Sequence, residues 1–106
     1  MITTNGKMID EFLNTKDATR IEQLADALGN EFDARSVDPL LLRLGDLPVQ
    51  EDPDLECAVC DALVRFGVMQ KLGNLNYRFL PAENLPPVAR VAVYNNYVRL
   101  LPRKYF

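Results

Sequence analysis

The amino-acid sequence predicts a mainly helical α+β domain in which three to four helices form the core and a β-hairpin follows them. Residues 53–66 place apolar side chains at helical spacing along their whole length. Two strand-like runs, 68–72 and 75–80, flank Gly73-Asn74, a dipeptide that is typical of two-residue hairpin turns. A lone hairpin is marginally stable, so we expect its apolar residues to pack on the helices. The residues expected to do so are Val68, Leu72, Leu75, Tyr77 and Phe79.

The length of 106 residues is that of one domain of ordinary size. We therefore expect a single domain over 1–106. Its ends, 1–6 and 103–106, are expected to be frayed, and 82–106 is expected to form an extension after the hairpin.

Capping residues indicate where the first helices begin and end. The first helix is predicted over 7–14. Thr19 and Glu22 have the spacing of a capping box, which begins a second helix, and Gly29 stands where a glycine commonly ends one. Residues 30–38 are predicted to be a loop.

Two later helices each follow an aspartate and a proline, the residues preferred at the N-cap and at the first helical position. Asp38-Pro39 begins a short Leu-rich helix over 39–47, and 49–51 is a polar connector. Asp52-Pro53 begins the longest amphipathic helix, 53–66.

The last segment, 88–101, lies between Pro86-Pro87 and Pro102. Its apolar residues predict an additional helix, and the alternation through Val91 and Val93 leaves a strand open.

The stretch ALVRFGVMQKLGNLNYRFLP, residues 62–81, resembles the helix-to-wing region of a winged-helix domain. Phe66-Gly67-Val68 corresponds to the junction and Gly73-Asn74 to the wing tip, while IEQLADALG is similar to the first helix of the helix-turn-helix unit. The resemblance extends over about residues 15–81. It implies DNA binding, with either 53–66 or 39–47 as the recognition helix, and it implies that a helix after the wing can support a dimer.

Charge is divided unevenly along the chain, whose formal net charge is −3. Residues 31–61 contain two cations against nine carboxylates, and residues 62–106 contain seven cations against one carboxylate. Such regions can pair within a fold, pair between subunits, or present two faces to partners.

The outer face predicted for helix 53–66 is unsuited to a DNA groove, because Asp54, Glu56 and Asp61 outnumber Arg65 there. DNA contact through the wing and the basic residues beyond it stays open. The candidate nucleic-acid residues are Arg65, Lys71, Arg78, Arg90, Arg99, Arg103 and Lys104.

The same outer face also predicts a protein-binding surface. Cys57, Cys60 and Val64 lie away from the core stripe of the helix and form a second apolar strip with a carboxylate rim, unless the Leu-rich 39–47 segment covers them. A second stripe is expected on 88–101, where tyrosines are typical interface anchors. The candidate partner-interface residues are Cys57, Cys60, Val64, Tyr94, Tyr97 and Leu101.

The sequence offers little to catalysis or to metal binding. It has no histidine, and its two cysteines, Cys57 and Cys60, lie within a helix without a glycine or proline between them. They lack the third and fourth ligands that a zinc site needs, so we expect two reduced thiols, no metal and no cofactor. No phosphate-binding loop or nucleophile motif is present, and no small-molecule site is evident.

The function predicted from the sequence is that of a small, non-enzymatic regulatory or adaptor module. It would act by protein association, as a homodimer or on another protein, through helix 53–66 and segment 88–101. The alternative is a DNA-binding transcriptional regulator. No apolar run is long enough to span a membrane and no signal peptide is recognised, so a cytoplasmic location is expected.

Overall fold

The computed structural model describes residues 4–80 and 103–106. In this part of the chain five α-helices precede a two-stranded antiparallel hairpin, and two short 3₁₀ turns complete the fold. The predicted mainly helical α+β class is therefore confirmed, while segment 88–101 lies outside the described residues. The elements are α1 (Thr4–Asn14), α2 (Ala18–Glu31), α3 (Val37–Leu44), α4 (Leu47–Glu51), α5 (Pro53–Arg65), β1 (Met69–Gly73) and β2 (Asn76–Phe79), with 3₁₀ turns at Ala34–Ser36 and Arg103–Tyr105.

Helix α5 is the centre of the core and contacts α2, α3, α4 and β1. Its start is the one that the sequence predicts. The Asp52 side chain accepts hydrogen bonds from the backbone N–H groups of Asp54 and Leu55 at 3.0 and 3.3 Å, and Pro53 occupies the first turn. Leu55, Val59 and Leu63 are buried along the predicted core stripe.

Helix α2 has other ends than the sequence predicts. The Asp17 side chain caps the start of α2 by accepting a hydrogen bond from the Thr19 N–H at 3.1 Å. The prediction that a capping box at Thr19 begins this helix is therefore wrong. Gly29 lies inside the helix, and Phe32 ends it with a left-handed φ of 54°. The reason is packing, since a Cβ at Gly29 would lie 3.2 Å from the Cα of Ala62. The glycine allows α2 to approach α5 closely.

The region between α2 and α5 is more helical than predicted. The expected loop 30–38 contains the 3₁₀ turn Ala34–Ser36 and the start of α3, and the expected connector 49–51 lies within α4. Val37 and Val49 are both buried. Burial of these apolar side chains outweighs the polar local sequence that predicted a loop.

The hairpin pairs Met69 with Phe79 and Lys71 with Tyr77. The register shifts between Lys71 and Gly73, so Leu72 is an additional residue on β1 and the turn falls at Asn74 and Leu75. The predicted hairpin is confirmed, although its turn lies one residue later than expected.

The predicted core face of the hairpin is confirmed only in part. Val68, Tyr77 and Phe79 are buried, whereas Leu72 and Leu75 are 47% and 49% exposed. The extra residue in β1 and the displaced turn take both leucines away from the helices.

Within the described residues, regular structure includes positions 4–6 and 103–105, where the sequence predicts fraying. Helix α1 already begins at Thr4. Tyr105 in the last 3₁₀ turn is 2% exposed, with its ring edge-on to that of Phe79 at a centroid distance of 5.9 Å. Fraying of 103–106 is therefore wrong, because a single buried aromatic side chain holds this segment on the core. None of the helices described is long and apolar enough to cross a membrane.

Candidate functional site

The predicted partner strip on α5 does not form a continuous outer surface. Cys60 is fully buried, so its placement on an outward face is wrong. Cys57 and Val64 are half-buried and pack against the core. The other three predicted interface residues, Tyr94, Tyr97 and Leu101, lie outside the described residues.

Helix α5 is enclosed on nearly every side. Pro53, Asp54 and Arg65 are its only exposed residues, and they lie at its two ends. The helical period correctly identifies the stripe that faces the other helices, but it does not show that hairpin side chains and the 103–106 segment cover the opposite side. A helix enclosed in this way has no long free face for a DNA groove.

Glu56 was predicted as part of an exposed carboxylate rim, and this is wrong, since the residue is 6% exposed. Its carboxylate accepts a hydrogen bond from the Tyr105 hydroxyl and lies 2.5 Å from the Lys104 Nζ. Burial, followed by the hydrogen bond to Glu56, raises the pKa of the Tyr105 phenol. The phenol therefore stays protonated and remains a hydrogen-bond donor to the carboxylate.

A second tyrosine and carboxylate pair joins α5 to the hairpin. The Tyr77 hydroxyl donates to the Asp61 carboxylate at 2.6 Å, and the Lys71 Nζ lies 3.7 Å from the same carboxylate. The Lys71 Nζ is also 5.7 Å from the centre of the Tyr77 ring. Burial and the hydrogen bond to Asp61 raise the pKa of the Tyr77 phenol.

The two thiols are reduced and lie beside these tyrosines. Burial raises the pKa of the Cys60 thiol from 9.0 to about 12, and its hydrogen bond with Tyr105 offsets part of that effect. A thiol with such a pKa is not a nucleophile at neutral pH. Over 4–80 and 103–106, no three His, Cys, Asp or Glu side chains are placed to hold a metal ion together.

Three of the seven candidate nucleic-acid residues form ion pairs with carboxylates of the same chain. Arg65 Nη1 lies 3.0 Å from Asp26 Oδ1, while Lys71 and Lys104 form the contacts with Asp61 and Glu56 described above. Arg78 and Arg103 are exposed. Arg90 and Arg99 lie outside the described residues. Three of the five candidate cations in the described residues are therefore paired with carboxylates, which reduces the positive charge that they offer to a phosphate.

The hairpin tip carries two exposed apolar side chains. Leu72 and Leu75 are each about half exposed and lie within four residues of one another on the turn. Leu75 has a φ of 56°, the left-handed conformation that leucine adopts at a cost and that glycine and asparagine adopt easily. Neither side chain belongs to the buried core.

Comparisons of this chain with protein-family models, with curated proteins and with solved structures found no match.

Sequence reasoning missed the two tyrosine and carboxylate pairs. Alternation in β2 was a sufficient signal for Tyr77, because it placed that side chain on the core face of the hairpin. Nothing in the local sequence around Tyr105 shows that it reaches Glu56, which is 49 residues earlier in the chain.

Proposed function

We propose that this chain is a small, non-catalytic regulatory or adaptor module that acts by binding protein, and that its first partner is a second copy of itself. The observation that carries the proposal is the hairpin tip, where Leu72 and Leu75 are 47% and 49% exposed. An apolar tip that projects from a charged surface is typical of a protein contact.

The conformation of Leu75 strengthens this proposal. A leucine in the left-handed region costs about 1 kcal/mol relative to an ordinary backbone conformation, and Leu75 returns little of it through burial. Strained residues of this kind are more frequent at functional sites than elsewhere. A contact that covers Leu75 would give this side chain a role that the isolated chain does not.

The charges of the surface favour a second copy as the occupant. Glu51 and Asp54 are exposed where α4 meets α5, and Arg78 and Arg103 are exposed on the hairpin and the last turn. One copy can therefore set the basic hairpin side against the acidic junction of another, with the two leucines at the centre of the contact.

The alternative, a winged-helix regulator that reads DNA, has weaker support. The order α2, α3, α5 and then the hairpin agrees with the winged-helix resemblance. Helix α5, however, exposes only its ends, and Arg65, Lys71 and Lys104 face carboxylates of the same chain. Of the five candidate cations in the described residues, that leaves Arg78 and Arg103 to neutralise phosphates, on which duplex affinity depends.

Sedimentation velocity of the full chain tests the proposal. We expect a dimer that dissociates as the chain is diluted, and we expect Leu72→Asp to shift it at least about tenfold toward monomer, because a carboxylate would be buried in the contact. The matched control is Gln23→Asp, which adds the same charge to an exposed position of α2, away from the hairpin. A monomer at every concentration, together with a salt-sensitive shift of duplex DNA at low ionic strength, would favour the DNA reading instead.

A further inference from the structure

We propose that the slot between α5 and β2 that holds Tyr105 is a binding site for a Lys-Tyr segment, and that the 103–106 segment of a second copy can fill it in trans. This Tyr105 slot is formed by Glu56, Cys60 and Phe79. This inference goes beyond the association through the hairpin tip, because the contact is made by Tyr105 in a slot beside α5 and not by Leu72 and Leu75.

The carboxylate of Glu56 gives the slot its chemical selectivity. Within 4–80 and 103–106, its side-chain partners are the Tyr105 hydroxyl and the Lys104 ammonium, both from the bound segment. With the segment in place Glu56 is 6% exposed, so a purely apolar ligand that covered it equally would leave a buried carboxylate without a donor. The slot therefore favours a ligand that brings a phenol and an adjacent cation together.

The aromatic wall supplies the shape of the site. The Phe79 ring stands edge-on to the Tyr105 ring, with an interplanar angle of 84°, and the Phe106 ring lies 5.2 Å from Phe79 on another side. Edge-to-face contacts of this type add to the burial of the ring. A flat aromatic side chain with a polar tip fits this arrangement better than an aliphatic one.

The bound segment has the form of a short linear ligand. Tyr105 is buried, whereas Arg103, Lys104 and Phe106 on either side of it are exposed. One side chain thus anchors the segment, and its neighbours add an ion pair and a ring contact. Residues 81–102 separate it along the chain from the hairpin whose β2 forms a wall of the slot.

The chain's own 103–106 segment occupies the Tyr105 slot, and this determines the affinity that a ligand from a second copy needs. A segment of the same chain fills the slot independently of protein concentration, so a ligand in trans must compete with it. Removing the Tyr105 side chain while keeping the rest of the chain should empty the slot and remove this competition.

The test uses the full chain with Tyr105→Ala and a fluorescent, end-blocked peptide of residues 101–106, Leu-Pro-Arg-Lys-Tyr-Phe. We expect saturable binding by fluorescence anisotropy, at least about tenfold tighter than to the unaltered chain, whose slot is filled. The same peptide with alanine in place of its tyrosine should not bind. Equal binding of the two peptides, or no binding up to millimolar concentration, would overturn the proposal.

A second substitution distinguishes specific recognition by Glu56 from non-specific binding of the peptide. Glu56→Gln in the Tyr105→Ala chain removes the charge but keeps the shape, and it should weaken peptide binding at least about tenfold. Unchanged affinity would contradict the role given to Glu56. If Tyr105→Ala prevents folding, Tyr105→Phe takes its place. This variant keeps the ring but lacks the hydroxyl that donates to Glu56, so its own segment competes less well and the tyrosine peptide should bind it more tightly than it binds the unaltered chain. Equal binding to these two chains would overturn the proposal.

Discussion

Burial determines the chemical character of Cys60. The thiol is fully buried, and its pKa is raised to about 12 because burial disfavours the thiolate. Tyr105 forms a hydrogen bond with it and donates another to Glu56 one turn earlier on α5. A residue read from sequence as part of a protein contact is thus a protected core thiol.

Thiol labelling should distinguish the two cysteines. At pH 8 we expect an alkylating reagent to modify the half-buried Cys57 of the folded chain and to leave Cys60 unmodified, because only the thiolate reacts and Cys60 is covered. Tyr105→Ala should make Cys60 reactive. Mass spectrometry of the labelled peptides measures both, with Cys57→Ser as the control that leaves one site. Equal labelling rates in the unaltered chain would contradict the placement of Cys60.

At the scale of elements, the contact between α2 and α5 depends on a glycine. A Cβ at Gly29 would lie 3.2 Å from the Cα of Ala62 and 3.1 Å from Arg65 Nη1. The backbone atom cannot move without moving α5. The side chain of Arg65 crosses this contact to reach Asp26 and Asn30 of α2.

Gly29→Ala should therefore destabilise the fold, although alanine is the better helix former. Forcing the two helices apart costs about 1–3 kcal/mol and the gain in helix propensity is about 1 kcal/mol, so we expect a net loss on the order of 1 kcal/mol. The control is Gly73→Ala in the hairpin, where the nearest atom, Asn76 Cβ, is 3.9 Å away and little change is expected. Urea denaturation measures both. Equal or greater stability of Gly29→Ala would show that the helices separate without cost.

The sequence predicts elements better than it predicts what covers them. Helix α5 and the hairpin follow from capping, period and turn residues, all of which act within a few positions of the chain. The side of α5 that faces away from the other helices is covered by Tyr77 and Tyr105, whose partners on α5 are 16 and 49 residues earlier in the chain. Local patterns carry no information on such contacts, and for that reason Cys60 and Glu56 were assigned to the surface.

Helix ends show the same limit. Gly29 has the usual residue type for a helix end, but here it serves a contact between helices, and Phe32 takes the left-handed position and stacks on Phe66 at 4.9 Å. The prediction that Leu72 and Leu75 pack on the helices is wrong for a related reason. A one-residue bulge, which no pattern in 68–80 predicts, exposes Leu72 and Leu75.

At the scale of the whole molecule, part of the charge asymmetry is satisfied within the fold. Lys71 and Lys104 from the basic part of the chain pair with Asp61 and Glu56 from its acidic part. The pair of Lys71 and Asp61, whose side chains are each about half exposed, contributes little to stability. The pair at Glu56 is more important, since that carboxylate is buried.

Stability should decline in alkali. Burial raises the pKa of the Cys60 thiol and of the Tyr77 and Tyr105 phenols, so the folded chain keeps protons that the unfolded chain releases. Their contribution is complete below pH 9 and is lost as the pH rises from about 9 toward 12, by about 1.4 kcal/mol per pH unit for each group that has titrated in the unfolded chain. Urea midpoints at pH 7, 9 and 10.5 measure this loss. Cys60→Ala should make the decline between pH 9 and 10 shallower, and a constant midpoint over the whole range would contradict the burial of these groups.

Sedimentation equilibrium of Leu75→Asn beside the unaltered chain decides whether the hairpin tip is a contact between copies. Asparagine accepts the left-handed conformation, so the variant should gain about 1 kcal/mol of stability in urea while its dimer dissociates at least about tenfold more readily. Loss of the dimer in a more stable chain cannot be attributed to unfolding. If Leu75→Asn gives the same dimer as the unaltered chain, or if the unaltered chain has no dimer to lose, the tip is not the contact.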